Sequence, residues 1–180
     1  MLASPSKSKL SFSIIAAIDS SLGIGKNGKI PWKFKNDMDF FKRKTIWCKD
    51  PMKKNVVIMG KNTWESLPKR PLSDRKNIVI SQSMLNDKYK HWIEKCFEVK
   101  IYKKLDEAIN DLTDDYGKSI EQVFVIGGGP LYKEAIVHPQ CSELYLTKIP
   151  GTYDCDTFFP NIPKNFSELI TKTSTQIMPI

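Results

Sequence analysis

A carboxylate stands among apolar residues early in the chain, at Asp37 in the stretch GKIPWKFKNDMDFFKRKT (residues 28–45). If this stretch forms a helix, Asp37 and Phe41 lie on the same face because they are four residues apart. A carboxylate on an apolar face is costly unless a partner satisfies it. Asp37 is therefore a candidate for binding a hydrogen-bonding ligand. The alternative is that Asp37 is an exposed acid favoured by the positive end of the helix dipole. Asp39, two residues later, points off this face and is interpreted as an ordinary surface acid.

A run of glycines, GGGP at residues 127–130, follows the apolar stretch VFVI and precedes LYKEAIV. The pattern predicts a strand, a glycine turn and a helix, with Pro130 near the first helical position. Glycines at such a turn let a phosphate or a ring approach the backbone. The run differs from GxGxxG, so it does not match the usual dinucleotide fingerprint, and a tight turn without a ligand is the alternative.

Basic residues follow a third stretch of interest, NVVIMGKNTWESL (residues 55–67). A strand leading through Gly60, Lys61 and Asn62 into a helix is a plausible phosphate cradle. Arg70 and Arg75 come next, and an arginine can grip a carboxylate through two hydrogen bonds. For each of these cations, ordinary surface solvation is the alternative interpretation.

The elements that must position these residues alternate between strands and helices. KKLDEAINDL has Leu105, Ala108, Ile109 and Leu112 at helical spacing, which predicts an amphipathic helix. Asn36 is predicted to cap a helix that runs to Thr45. Strands are predicted at 11–19, 55–59, 76–81, 96–102, 121–126, 143–149 and 167–173, and a short helix at 62–67. This alternation predicts an α/β domain with a largely parallel sheet.

Composition and charge narrow the class of protein. The chain has 180 residues, 41% of them hydrophobic, which predicts one globular domain over 1–180, with 1–10 as a flexible arm rather than a signal peptide. Four scattered cysteines without a CxxC pair predict reduced thiols and argue against zinc or disulfides. No apolar run approaches the ~20 residues of a membrane span. The net charge of +8 indicates an anionic partner such as a nucleotide, or simply a solvated basic surface.

Four blocks together carry a family resemblance: GIGKNGKIPWKFKNDMDFFKRKT, VIMGKNTWESLPKRPLSDRKNIVIS, VFVIGGGPLY and LYLTKI…CDTFFP. In this order and at these spacings, from about Phe12 to about Pro160, they closely resemble dihydrofolate reductases. The resemblance implies a mostly parallel central sheet flanked by helices. It also implies NADPH-dependent reduction of 7,8-dihydrofolate to tetrahydrofolate by a cytoplasmic monomer that binds antifolates, with no nucleic acid or membrane partner and no metal.

The resemblance assigns roles at the substrate. Asp37 would hold the pterin ring and promote protonation of the ring nitrogen beside the hydride-accepting carbon. Trp32 would position an ordered water near that acid, and Thr147 would link the acid to the pterin. Arg75 would bind the α-carboxylate of the glutamate tail. The other implied contacts are apolar: Ile15, Ala17, Met38, Phe41, Leu67, Leu72 and Ile126.

For the cofactor, the resemblance places Lys61 near the 2′-phosphate that distinguishes NADPH from NADH. The peptide bond between Gly127 and Gly128 is expected to be cis. The loop 25–30 is expected to close over the site. The implied cofactor contacts are Ala17, Ile24, Gly25, Gly60, Lys61, Asn62, Thr63, Ser81, Gln82, Ile126, Gly127, Gly128, Gly129, Leu131 and Tyr132.

Three features depart from the family pattern. KFK replaces the Leu-Pro often found after the Pro-Trp pair, and Gln82 stands where relatives often have Arg or Ser. The family fold ends in a hairpin whose last strand inserts between its two predecessors, whereas this chain ends in STQIMPI. We therefore expect the final C-terminal strand to be missing and residues 172–180 to pack poorly. If Ile180 is the natural terminus, we also expect lowered stability.

Two alternative functions are also compatible with the sequence. One is a reductase of a related pterin or pyrimidine-deoxynucleotide pathway that keeps the NADPH site and takes another substrate. The Pro-Trp…Asp block and Arg75 argue against it. The other is a paralogue without activity that binds a nucleotide or RNA through its basic surface.

Overall fold

The computed structural model of the chain describes residues 9–86 and 99–166. Within these ranges, strands and helices alternate as expected. The strands are β1 Phe12–Ile18, β2 Gly23–Gly25, β3 Lys54–Gly60, β4 Arg75–Ile80, β5 Val99–Tyr102, β6 Ile120–Val125, β7 Cys141–Lys148 and β8 Thr157–Phe158. The helices are α1 Lys35–Ile46, α2 Lys61–Ser66, α3 Leu105–Leu112 and α4 Gly129–Ala135, with a 3₁₀ turn at Ser83–Leu85.

Six of the described strands form a central sheet in the order β5-β4-β3-β6-β1-β7. All five neighbouring pairs are parallel, which confirms the α/β architecture. The carboxyl ends of β1, β3, β4 and β6 therefore lie at one edge of the sheet. Ligands of open α/β sheets bind outside this edge, so a binding site is expected at the turns that follow these strands.

Alternation along the strands divides the core between the two faces of the sheet. In β3, Val56 and Ile58 belong to one buried cluster, and Val57 and Met59 belong to the other. Helices α3 and α4 contribute to the first cluster. Trp64 of α2, with Phe40 and Phe41 of α1, packs against the second. Both faces of β3 are thus covered, which explains why its sequence is continuously apolar.

Two local features differ from the sequence-based expectation. Asn36 does not cap α1: the helix begins at Lys35, and the capping position belongs to Phe34, whose carbonyl accepts from the Met38 amide at 3.1 Å. Asn36 thus lies inside the first turn. In addition, β2 and β8 form a separate antiparallel ribbon, which the sequence does not predict because these strands are only three and two residues long.

Several expectations fall outside the described residues. They are the arm at residues 1–8, the first residues of the strand expected at 96–102, the strand expected at 167–173, and the tail at 172–180. In the described part of the chain, no helix is long and apolar enough to cross a membrane.

Candidate functional site

Asp37 lies in the first turn of α1, where the helix dipole favours a negative charge. Its carboxylate is hydrogen-bonded to the side chain of Thr147 on β7. Thr147 pairs in register with Ala17 on β1, so three predicted residues from three elements meet. Burial raises the pKa of Asp37 above its usual range, and the Thr147 hydrogen bond opposes this only in part. The acid is therefore held half-buried with an increased affinity for a proton.

Trp32 precedes α1 and is 7% exposed. Its ring lies 5.1 Å from that of Tyr153, in an edge-on arrangement. The indole nitrogen is buried and has no hydrogen-bond acceptor among the described residues. Buried donors in proteins are nearly always satisfied by a protein group or an ordered water. This donor therefore fits the role implied by the resemblance, a tryptophan that holds a water.

The apolar residues predicted at the substrate come together beside α1. They belong to, or pack against, the same buried cluster, and we call them the α1 cluster: Ile15, Phe41, Leu67, Leu72 and Ile126. Met38 is not among them, since it is 63% exposed. A Met in the first turn of α1 can still lie at the margin of the site, but it is not a buried wall.

Arg75 is the first residue of β4 and is only 3% exposed. Its Nε donates to the Ser73 carbonyl at 2.9 Å, and its Nη1 donates to Thr45 Oγ1 at 2.7 Å. The guanidinium carbon lies 6.0 Å from the centre of the Phe41 ring. Burial lowers the pKa of Arg75, which the neighbouring Asp74 opposes. An arginine stays charged in proteins, so this buried cation favours an anionic ligand.

Two glycine turns meet at the carboxyl ends of β3 and β6. The Gly60 amide donates to the Gly127 carbonyl at 2.7 Å, and the peptide bond between Gly127 and Gly128 is cis, as expected. A Cβ on Gly128 would lie 3.3 Å from the Thr63 hydroxyl. Any larger residue would crowd the start of α2. The glycines thus form a cradle of backbone groups, and Asn62 lies exposed beside it.

The far end of this cradle is basic and rich in hydroxyls. Lys61 Nζ lies 3.4 Å from Ser83 Oγ, which is 3.3 Å from Ser81 Oγ. Lys61 also forms an ion pair with Glu65 at 3.8 Å. Gln82 is exposed next to these residues. A lysine and two hydroxyls can together bind a phosphate group.

The other end of the cradle reaches the loop after β1. A Cβ on Gly129 would lie 3.0 Å from the Thr157 methyl group and 3.9 Å from Ile24. Gly25 pairs with Thr157 in the β2–β8 ribbon. Tyr132 is buried and donates to the Ile15 carbonyl at 2.8 Å. Tyr132 and Leu131 both belong to the core cluster on the face of the sheet opposite the α1 cluster.

Sequence reasoning missed three residues that organise the site. Thr45 binds Arg75, and Ser83 lies beside Lys61, as described above. Asp19 is 4% exposed and accepts from the amides of Ser21, Gly23 and Tyr153 at 2.8, 2.7 and 3.1 Å. Only Asp19 carried a signal, as an acid directly after a buried strand and before a glycine-rich loop.

Asp19 sets the shape of the loop that leads to Ile24 and Gly25. Burial would raise the pKa of Asp19, but its backbone hydrogen bonds and the Cys155 thiol lower it overall. A second acid also contacts this loop, since Asp156 accepts from the Asn27 amide at 2.7 Å. These two carboxylates tie the loop after β1 to the segment before β8.

Comparison with known proteins agrees with this arrangement. A family model described as dihydrofolate reductase matches residues 11–177. Dihydrofolate reductase of Heliothis virescens is 41% identical over 91% of this chain and 86% of that protein. Dihydrofolate reductase of Drosophila melanogaster is 38% identical over 89% of this chain and 85% of that protein. A solved structure, Schistosoma mansoni dihydrofolate reductase, superimposes with a TM-score of 0.73 at 37% identity, covering 88% and 84% of the two chains.

The fold and the paired sites define a nucleotide-dependent oxidoreductase of the α/β class. The chain belongs to the dihydrofolate reductase family, whose members reduce dihydrofolate to tetrahydrofolate with NADPH. Some relatives are longer: a bifunctional dihydrofolate reductase-thymidylate synthase of Arabidopsis thaliana is 41% identical over 87% of this chain but only 27% of its own length.

Proposed function

We propose that this chain reduces 7,8-dihydrofolate to 5,6,7,8-tetrahydrofolate with NADPH, and that the substrate lies along the α1 cluster between Asp37 and Arg75. The observation that carries the proposal is the half-buried Asp37 carboxylate in the first turn of α1, bonded to Thr147, with a buried arginine bonded to Thr45 in the last turn of the same helix. Asp37 and Thr45, the partner of Arg75, are eight residues apart on one helix, which corresponds to about 12 Å. That length suits a ligand with a ring at one end and a carboxylate at the other.

Asp37 would accept two hydrogen bonds from the amino group and the adjacent ring N–H of the pterin. Its raised pKa favours protonation of the bound ring system, because the acid and the ring then share a proton at lower cost. The proton would reach the ring nitrogen beside the reacting carbon through water. The Trp32 indole N–H, which has no acceptor among the described residues, would orient that water.

Arg75 would bind the α-carboxylate of the tail in a bidentate pair. Between the two charged ends, Ile15, Phe41, Leu67, Leu72 and Ile126 would contact the rings, Ala17 would line the reacting edge, and Met38 would cover the margin.

The glycine cradle would hold NADPH, which supplies the hydride when bound. The residues fit this cofactor because Gly128 and Gly129 are only partly buried and carry no Cβ that would crowd Thr63 and Thr157, so a phosphate can approach their backbone. Lys61, Ser81 and Ser83 would bind the 2′-phosphate beside Gln82, and Gly60, Asn62, Thr63 and Gly127 would contact the pyrophosphate. Ile24, Gly25 and Tyr132 would lie at the nicotinamide end, with Leu131 supporting them from the core.

We also propose that the chain acts as a cytoplasmic monomer and binds antifolates. A cationic diamino-substituted ring would present the same donors to the ionised Asp37 carboxylate as the pterin, in a charge-assisted pair.

The purified full-length chain provides the test, through NADPH oxidation followed with dihydrofolate as substrate. We expect turnover with dihydrofolate, with a higher kcat/KM for NADPH than for NADH. Turnover only with another pterin or with a deoxynucleotide substrate would instead indicate a related reductase. NADPH binding without turnover of any of these substrates would contradict an enzymatic role.

A further inference from the structure

Thr45 is the one polar side chain of α1 that is completely buried, among those that the structure describes, with an exposed fraction of 0%. The proposed function assigns it no contact with substrate or cofactor. Its hydroxyl accepts from Arg75 Nη1 at 2.7 Å and donates to the Phe41 carbonyl at 2.8 Å. Thr45 thus connects the buried arginine to the helix that also carries Asp37.

The backbone of Thr45 is held from a second side. Asn55 on β3 is also 0% exposed, and its side-chain amide donates to the carbonyls of Thr45 and Trp47 at 3.1 and 2.9 Å. Its Oδ1 accepts from the Gln122 amide on β6 at 3.0 Å. The last turn of α1 is therefore hydrogen-bonded to two central strands. This fixes the position of Thr45, whose hydroxyl in turn binds Arg75.

Two hydrogen bonds, to Thr45 and to Ser73, restrict the orientation of the Arg75 guanidinium. Two of its five N–H groups are used in this way. The plane of the guanidinium is set by these two hydrogen bonds. A bidentate arginine–carboxylate pair depends on the orientation of that plane. Removal of the Thr45 hydroxyl would release this orientation and leave the Arg75 Nη1 donor without its acceptor.

We infer that Thr45 is a positioning residue that sets affinity for the carboxylate tail of the substrate by orienting Arg75, without acting on the reduction itself. This inference rests on the proposed function, because it assumes that Arg75 binds the tail. It assigns the two ends of the substrate to different residues. Asp37 would bind the pterin ring, and Thr45 would affect binding of the tail carboxylate by orienting Arg75.

The test compares two substrates in the full-length chain: dihydrofolate, and a 7,8-dihydropterin that lacks the benzoylglutamate tail. Thr45→Val keeps the shape of the side chain but removes the hydroxyl. We expect KM for dihydrofolate to rise about tenfold, with KM for the tail-less dihydropterin and kcat for both within about twofold of wild type. Thr45→Ser retains the hydroxyl, so its KM for dihydrofolate should be close to the wild-type value.

Thr113 offers a matched control, because its hydroxyl makes the same bond to a carbonyl four residues earlier, Ile109, at 3.0 Å at the end of α3. Thr113→Val should leave both KM values unchanged. NADPH binding, measured by fluorescence, reports the folded fraction of each variant, and Thr45→Ala replaces the valine variant if that fraction is low. Equal changes for both substrates, no change for either, or a failed rescue by Thr45→Ser would overturn the inference. Wild-type inactivity on both substrates would instead contradict the proposed function.

Discussion

At the scale of single residues, the site depends on charges placed where water is scarce. Asp37 lies in the first turn of α1, and Arg75 is bonded to Thr45 in the last turn. Burial raises the pKa of Asp37 and lowers that of Arg75, so it disfavours the charged form of each. Such placements cost free energy in the protein alone. They are typical of groups whose partner is a ligand, since perturbed titratable residues concentrate at functional sites.

The raised pKa of Asp37 predicts a pH-dependent effect on stability. A raised pKa means that the folded state binds the proton more tightly than the unfolded state. The stability that this group contributes is therefore present below pH 3.8 and is lost as the pH rises through the raised pKa. Asp37→Asn removes the buried charge and should raise the melting temperature at pH 7 by roughly 2–4 °C.

Thermal melts from pH 3.5 to pH 8 would check this prediction. The difference between Asp37→Asn and wild type should shrink as the pH falls towards 3.8. Asp39→Asn, an exposed neighbour on the same helix, is the control and should melt like wild type throughout. A lower melting temperature for Asp37→Asn than for wild type at pH 7 would contradict the prediction that the buried charge destabilises the folded state.

At the scale of elements, the loop after β1 is held by close packing of β2 against the segment before β8. Gly23 lies so near Cys155 that an added Cβ would be 2.6 Å from both its Cβ and its Sγ, and 2.8 Å from Asp19 Oδ2. Gly25, two residues later on the same strand, has its nearest such neighbour at 3.4 Å. The two glycines therefore differ sharply in their tolerance of a methyl group.

Gly23→Ala should destabilise the protein by about 1–3 kcal/mol through overpacking, and it should raise KM for NADPH because Ile24 and Gly25 shift with the loop. Urea denaturation and steady-state kinetics measure the two effects. Gly25→Ala is the matched control, with a smaller loss of stability. If the two variants lost equal stability, the account of packing at Gly23 would be wrong.

Local patterns predicted some of these elements well and others poorly. Helix α3 could be predicted residue by residue, because Leu105, Ala108, Ile109 and Leu112 all face the core. Strands β2 and β8 could not, because two or three residues show no periodicity. The start of α1 was misassigned because an asparagine can cap a helix or lie within its first turn, and tertiary packing decides between them.

At the scale of the whole molecule, the candidate site depends on contacts between distant parts of the chain. Thr147 reaches Asp37, and Tyr132 reaches the Ile15 carbonyl. The order of strands that allows these contacts does not follow from hydrophobic periodicity. The roles of Asp37 and Arg75 could be inferred only because four ordered blocks resembled a family. The roles of Thr45 and Ser83 required the folded structure.

The net charge of +8 predicts that salt slows capture of the anionic ligands. The Debye length shortens from ~10 Å at 0.1 M salt to ~3 Å at 1 M, so added salt screens the attraction between the basic protein and its anionic ligands. We therefore expect kcat/KM for NADPH and for dihydrofolate to fall roughly tenfold over that range. The uncharged tail-less dihydropterin is the control. At saturating NADPH its kcat/KM should stay nearly constant, and a fall equal to that of dihydrofolate would show that salt acts on the enzyme itself.

The most direct test of the central claim is the rate of dihydrofolate reduction by Asp37→Asn at saturating NADPH, with Asp39→Asn as the matched control. Asn keeps the shape and one hydrogen-bond acceptor but removes the charge and the titrating proton. We predict that kcat/KM falls at least 100-fold in Asp37→Asn, in line with the loss of an acid–base group, and stays within about twofold of wild type in Asp39→Asn. Equal activity of Asp37→Asn and wild type would contradict the assignment of Asp37 as the acid that holds the pterin ring.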